Sequence, residues 1–211
     1  IGANESVFGP SPEALKVMKD ELSSLWMYGD PENYDLKIEI AKKHNVKPEN
    51  IIIGEGIDGL LGYLVRMFVE PRDKVVTTDG SYPTFNYHVN GYGGILKKIP
   101  FKNDFESLHS LLKICKIEFP KIVYVSNPNN PMGTFNKKVE MKTFISEIPK
   151  ETLICLDEAY ADFTESDIIP TIDSNNPKVL RLRTFSKAYG LAGARIGFAI
   201  GATELIRNFD K

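Results

Sequence analysis

Short runs of aliphatic and β-branched residues alternate along the chain with longer stretches of helical periodicity. Residues 51–53, 75–78, 95–99, 122–126, 153–157, 179–183 and 196–200 read as seven strands. Between them, residues 11–22, 30–43, 57–69, 104–112, 137–148 and 203–209 carry helical patterns. The first of these opens with Ser11-Pro12, a capping residue followed by a favourable first-turn proline. Strands separated by helices predict an α/β fold: a mostly parallel seven-stranded sheet with helices on both faces. No internal repeat and no linker rich in Gly or Ser interrupts the pattern. The chain ends with a helix just begun and starts at Ile1 rather than Met, so a truncation is expected, with a further C-terminal domain beyond it.

At 211 residues and 42% hydrophobic content, the chain has enough apolar material for one large core, which excludes a disordered or fibrous protein. Lys and Arg total 26 against 28 Asp and Glu, a net charge of -2. That balance offers no basic surface for nucleic acid or an anionic membrane, so any anionic ligand must be held by a local site. The aromatic residues around Tyr82, Phe85, Tyr87 and Tyr92 lack the basic groove that stacking on nucleic acid requires. No apolar run reaches the roughly 18 residues of a membrane span, and no signal-peptide pattern is present. Cys115 and Cys155 sit in apolar contexts without metal-ligand spacing and read as buried free thiols of a reducing, cytoplasmic compartment. His44, His88 and His109 have no Ser, Cys or metal-ligand partner at useful spacing, so no catalytic role and no metal site is assigned.

The turn Gly54-Glu55-Gly56-Ile57-Asp58-Gly59 follows a strand and opens a helix, satisfying G-x-G-x-x-G. Asp79 follows about 20 residues on, where a ribose-binding acid would sit in a dinucleotide fold. The same backbone geometry binds any phosphate at a helix N-terminus, or simply permits close packing. Dinucleotide, other phosphate and plain turn therefore stay open on this motif alone.

Four later segments narrow the choice. Ser126-Asn127-Pro128-Asn129-Asn130-Pro131-Met132-Gly133-Thr134 follows one strand, and Leu156-Asp157-Glu158-Ala159-Tyr160 ends the next. Arg183-Thr184-Phe185-Ser186-Lys187 ends the strand after that, and a glycine-rich stretch from Gly190 to Gly197 carries Arg195. The first three put polar groups at carboxyl ends of strands, where open α/β sheets bind ligands. Asn, Asp, Tyr, Lys and Arg gathered on one edge suit an anionic, carbonyl-bearing nitrogen heterocycle such as pyridoxal 5'-phosphate.

In order and spacing these segments resemble the fold-type I pyridoxal-phosphate aminotransferases, and most of all their histidinol-phosphate aminotransferase branch. The resemblance runs from Asn4-Glu5 to Ile200-Gly201. It implies that residues 30–211 form the large cofactor-binding domain and residues 1–29 an N-terminal part of a small domain. Lys187 is then the Schiff-base lysine and proton shuttle, Asp157 the partner of the pyridine nitrogen, and Tyr160 and Asn130 the donors to the phenolic oxygen. Phe85 takes the ring-stacking position. The N–H groups of Ile57 and Asp58, the hydroxyls of Thr184 and Ser186, and the Arg195 guanidinium hold the phosphate, with Tyr28 reaching it from the neighbouring subunit of a homodimer. The implied reaction is ping-pong amino transfer between L-glutamate or 2-oxoglutarate and histidinol phosphate or imidazole acetol phosphate, in histidine biosynthesis. An aromatic amino acid aminotransferase and a threonine-phosphate decarboxylase share the scaffold. Outside it stand an NAD-dependent oxidoreductase, resting on the glycine turn and Asp79, and a non-catalytic aminotransferase-like regulator. Three positions depart from the family pattern: Met132 stands where relatives usually carry Thr, Phe8 where some carry Tyr, and Phe85 where Tyr is common. The arginine that binds the substrate in the family falls in the C-terminal domain.

Overall fold

The computed structural model describes residues 3–165 and 167–210. Seven strands form one sheet: β1 (Ile51–Gly54), β2 (Lys74–Asp79), β3 (Ile95–Pro100), β4 (Ile122–Ser126), β5 (Leu153–Asp157), β6 (Val179–Thr184) and β7 (Gly197–Ile200). Their spatial order is β1-β7-β6-β5-β4-β2-β3. The five strands from β6 to β3 pair in parallel, while β7 runs antiparallel to both β6 and β1. The sheet is mostly parallel, as expected, and β7 is the strand that runs against the others. Its connection from β6 carries no crossover helix, only a loop and a single 3-10 turn at Ala192–Ala194, so the chain doubles back beside its own strand.

Among the described residues the α-helices are α1 (Pro12–Asp20), α2 (Tyr34–His44), α3 (Gly56–Phe68), α4 (Thr84–Gly91), α5 (Leu108–Glu118), α6 (Lys138–Glu147) and α7 (Thr203–Ile206). The period-2 alternation of the strands divides the core between two faces. Ile122, Tyr124, Leu180 and Leu182 meet Leu60, Leu61 and Leu64 of α3, Phe85 and Val89 of α4, and Leu205 of α7. Val123, Val125, Ile154 and Leu156 face the other way, against Leu111 and Cys115 of α5 and Met141 and Phe144 of α6. Ile40 and Ala41 of α2 cover Ile51, Phe198 and Ile200 at the β1 edge. Burying the apolar atoms of both faces at roughly 25 cal/mol per Å2 is the main force holding the layers together.

Local chemistry moves several boundaries from their sequence-based places. The helix expected over 30–43 begins at Tyr34, because Asp30 stays outside it and accepts the Tyr34 N–H (2.7 Å). The helix expected over 104–112 runs Leu108–Glu118 instead. Asn103 and Asp104 adopt positive φ, and Ser107 caps the helix by accepting the Ser110 N–H at 3.3 Å. α4 was not expected at all; its eight residues place Phe85 in a helix rather than a loop. α1 buries none of its residues. Among the described residues no helix is long and apolar enough to cross a membrane.

Candidate active site

The connections change direction between β2 and β4, so the carboxyl ends of these strands flank a crevice. Sheet register then sets the site. Ser126 pairs with Asp157 across β4–β5, Asp157 with Leu182 across β5–β6, and Thr184 with Gly197 across β6–β7. A cavity of about 760 Å3 opens over this edge. Nine sequence-predicted residues line it: Ile57, Asp58, Asn130, Asp157, Tyr160, Thr184, Ser186, Lys187 and Arg195.

At the cavity floor, Asp157 is 5% exposed. One carboxylate oxygen accepts the Tyr124 hydroxyl (2.7 Å) and the other the Ala159 N–H (2.9 Å). Burial pushes this carboxyl above its usual range, while those two hydrogen bonds pull it back down. Among the described residues no Lys, Arg or His lies within ion-pair distance of it. A buried carboxylate in that condition fits a ligand that brings its own cation.

At the other end, α3 begins without a side-chain cap, so its first N–H groups face the cavity unpaired by any Ser, Thr or Asp. The Arg195 guanidinium lies against this helix start. A Cβ on Gly56 would meet its Nη2 at 2.5 Å, and Gly56 also has φ +75°. Arg195 donates to the Ala192 carbonyl (3.0 Å), and no carboxylate pairs with it among the described residues. The Thr184 and Ser186 hydroxyls lie 2.9 Å apart beside it. An uncapped helix start, two hydroxyls and an unpaired guanidinium make a phosphate cradle. With a cation-seeking carboxylate at the far end, the donor set fits pyridoxal phosphate.

Between the two, Lys187 Nζ donates to the carbonyls of Ala3 (2.8 Å) and Asn4 (3.4 Å) and lies 5.7 Å from the centre of the Tyr160 ring. The Tyr160 hydroxyl accepts Asn4 Nδ2 at 3.0 Å. Residues 3–5 thus cross the cavity mouth and put Asn4 and Glu5 on its lining.

Two predicted residues lie elsewhere. Phe85 is fully buried, with its ring stacked on Tyr124 (centroids 4.7 Å apart, 15° between planes). α4 turns this side chain into the core, so it buttresses the tyrosine that holds Asp157 and does not line the cavity. Besides Tyr160, the aromatic residue that does is Tyr82, whose N–H donates to the Asn130 carbonyl (3.0 Å). Tyr28 is wholly exposed and outside the cavity.

The dinucleotide reading does not survive the topology. β1, which carries the glycine turn, is an edge strand, whereas β2, which ends at Asp79, lies five strand spacings away, roughly 24 Å. Asp79 pairs instead with Lys98 (3.5 Å). The glycines serve packing and the cradle: a Cβ on Gly197 would sit 2.7 Å from the Gly56 carbonyl carbon.

Sequence reasoning missed the buried ionic support. Glu158 is 1% exposed and binds both Arg181 and Arg183 (3.0 Å from Arg183 Nε), tying the start of the Asp157–Tyr160 turn to β6. The available signal was charge inside an otherwise apolar strand, Arg181 and Arg183 in VLRLRT.

A family model described as aminotransferase class I and II matches residues 1–211. A histidinol-phosphate aminotransferase of Moorella thermoacetica is 34% identical over 217 residues, covering 100% of this chain and 55% of the relative. One from Caldicellulosiruptor saccharolyticus is 35% identical over 215 residues, covering 100% and 60%. The chain therefore spans little more than half the length of these curated relatives. Among solved structures, histidinol-phosphate aminotransferase from Sinorhizobium meliloti in complex with pyridoxal-5'-phosphate superposes with a TM-score of 0.98 at 48% identity, over 100% of this chain and 58% of that one. L-threonine-O-3-phosphate decarboxylase from Porphyromonas gingivalis shares the fold at 21% identity and TM-score 0.81, over 95% of this chain and 62% of that one.

Proposed function

The chain belongs to the class I and II aminotransferase family, and from that premise we propose that the protein carrying it is a pyridoxal-phosphate-dependent aminotransferase. Its reaction is reversible amino transfer between L-glutamate and imidazole acetol phosphate, giving 2-oxoglutarate and L-histidinol phosphate in histidine biosynthesis. The observation that carries the reading is the cavity itself: an unpaired buried carboxylate, a lysine amine and an unpaired guanidinium at an uncapped helix start, all lining one cavity. The substrate assignment draws on the curated relatives, which bear the histidinol-phosphate name at 34–35% identity.

When bound, pyridoxal phosphate supplies an electron-poor ring that stabilises negative charge on the substrate carbon beside the nitrogen. This chain's residues do the rest. Asp157 holds a proton on the ring nitrogen, and Tyr124 and Ala159 keep its carboxylate oriented. Tyr160 and Asn130 donate to the phenolic oxygen. The N–H groups of Ile57 and Asp58, the hydroxyls of Thr184 and Ser186, and Arg195 fix the phosphate, so that the ring is oriented before any proton moves. Lys187 Nζ would take the proton from the substrate carbon on one side of the nitrogen and return it to the carbon on the other side.

The same reading assigns residues 30–211 to the large domain and residues 1–29 to a segment that joins the rest of the protein. Leu25, Trp26 and Tyr28 are all more than three-quarters exposed, and α1 buries nothing. That apolar surface supports a homodimer in which Tyr28 reaches the partner's phosphate. Cys115 and Cys155, both buried free thiols, support a cytoplasmic setting.

The test uses the protein expressed from its complete coding sequence and loaded with pyridoxal phosphate. Borohydride reduction followed by peptide mass analysis should find the cofactor on Lys187. In a separate, unreduced sample, addition of histidinol phosphate should bleach the visible band, and phenylalanine should do so far more slowly. A response mainly to phenylalanine replaces the substrate, and carbon dioxide released from threonine phosphate replaces the reaction. No label on Lys187 refutes the cofactor assignment.

A further inference from the structure

β2 and β4 are paired only at Val75–Ile122 and Val76–Val123. Beyond those positions the two strands part to open the crevice, and the end of β4 loses its ladder partner on that side. The Asn127 N–H points toward β5, donating to the Asp157 carbonyl at 2.9 Å. Backbone alternation therefore turns the Ser126 N–H toward the gap left by β2. Left there unpaired, a buried N–H would cost about 1–3 kcal/mol.

Glu106, from the segment between β3 and α5, occupies that gap with its side chain 2% exposed as a residue. One carboxylate oxygen accepts the Ser126 N–H (2.9 Å), and the other accepts the hydroxyl of Ser81 (2.6 Å), just past the end of β2. Ser81 Oγ in turn accepts Asn129 Nδ2 (3.3 Å), and the Glu106 carbonyl accepts Asn136 Nδ2 (3.2 Å). Next to these, the Tyr82 N–H donates to the Asn130 carbonyl. One acidic side chain thereby replaces the missing ladder and joins the two sides of the crevice through the loop that carries Asn130.

We propose that Glu106 is a positioning residue that clamps the parted ends of β2 and β4 and thereby sets the placement of Asn130 and Tyr82 on the cavity wall. The inference rests on the reading of Asn130 as a cofactor contact. It goes beyond that reading in assigning a role to a residue that does not line the cavity.

The clamp is tested on the complete protein by amide hydrogen exchange and by visible spectroscopy. Glu106→Ala should speed exchange at Ser126 about tenfold, the loss expected for one buried hydrogen bond, with the far strands β6 and β7 unchanged. Glu106→Gln retains a carbonyl oxygen for the Ser126 N–H and should restore most of that protection. Ser81→Ala severs the β2 arm together with its link to Asn129 and leaves the Ser126 arm in place; if Glu106→Ala fails to fold, it should still loosen the Asn129–Asn130 loop. In the cofactor-loaded proteins, Glu106→Ala and Ser81→Ala should raise the pH midpoint of the visible band, because a displaced Asn130 stabilises the phenolate less well. Unchanged exchange at Ser126 in Glu106→Ala, or equal acceleration throughout the sheet, overturns the clamp. A wild-type protein with no visible band at all refutes the cofactor reading instead, and the exchange data then decide the clamp alone.

Discussion

Gly197→Ala should disable the phosphate cradle without removing any group that binds phosphate. Gly197 opens β7, pairs with Gly54 and Thr184, and lies beneath the start of α3. An added Cβ would stand 2.7 Å from the Gly56 carbonyl carbon and 2.9 Å from both Gly56 Cα and Ile57 N. All three are backbone atoms and no rotamer change can relieve them. Restoring ordinary contact requires the helix start to move by about 0.7 Å, away from β7 and therefore relative to Thr184, Ser186 and Arg195. Overpacking of this kind costs roughly 1–3 kcal/mol. Because the strained atoms are the cradle, we expect a tenfold to hundredfold weaker hold on pyridoxal phosphate, matching that energy range. Equilibrium dialysis of the apo-protein against the cofactor gives the affinity, and urea melts give the stability. Gly91→Ala is the control: it ends α4, has open space around its Cβ position, and should leave both quantities nearly unchanged. A Gly197→Ala protein that binds the cofactor within twofold of wild type refutes the argument that the glycine turn is shaped by close approach to β7.

Two further outcomes follow from buried charge. Glu158→Gln leaves Arg181 and Arg183 buried without a counter-charge and should destabilise the protein by about 3–5 kcal/mol in urea melts. Glu147→Gln, which breaks only the exposed pair with Lys116, should cost less than about 1 kcal/mol. For Glu106, burial raises the carboxyl from 4.5 to about 7 against the pull of Ser81 and Ser126. The native state then holds a proton that the unfolded chain has lost between those values. Stability must therefore fall as pH rises from about 4.5 to 7, by up to about 3 kcal/mol from this group. Glu106→Gln should gain that amount relative to wild type across the same window, and parallel stability curves would refute the shift.

The architecture was legible because short apolar runs and helical periodicity take turns along the chain. Continuous runs such as IVYVS and LICLD, buried at every position and separated by helical stretches, fix the central strands and their two covered faces. The reversal of β7 was not legible, since strand direction depends on the length and path of the connection, and the glycine-rich stretch before it fits either sense. α4 escaped because its sequence, TFNYHVNG, is rich in weak helix formers and holds its shape by burying Phe85 and Val89 against α3 and the sheet. The site was legible where chemistry is local to a strand end: Asp157, Thr184, Ser186 and Lys187 fall on the cavity because each lies at or just past the last residue of its strand.

What lay beyond reach depends on pairs distant in sequence. Phe85 finds Tyr124 across 39 positions, Tyr124 finds Asp157 across 33, and Glu106 finds Ser81 and Ser126 across 25 and 20. None of these partners carries a spacing rule, because each contact is made by the sheet order rather than by neighbouring residues. The same order places the glycine turn and Asp79 at opposite ends of the sheet, which is why a motif that satisfies G-x-G-x-x-G letter for letter has no dinucleotide chemistry behind it. In this fold the motif residues supply the groups that would touch a ligand, whereas the aim of those groups is set by buried polar partners that are distant in sequence but on neighbouring strands or connections. Changes at Tyr124, Glu106 and Glu158 should therefore alter the pH response and stability of the site more than the list of residues that line it.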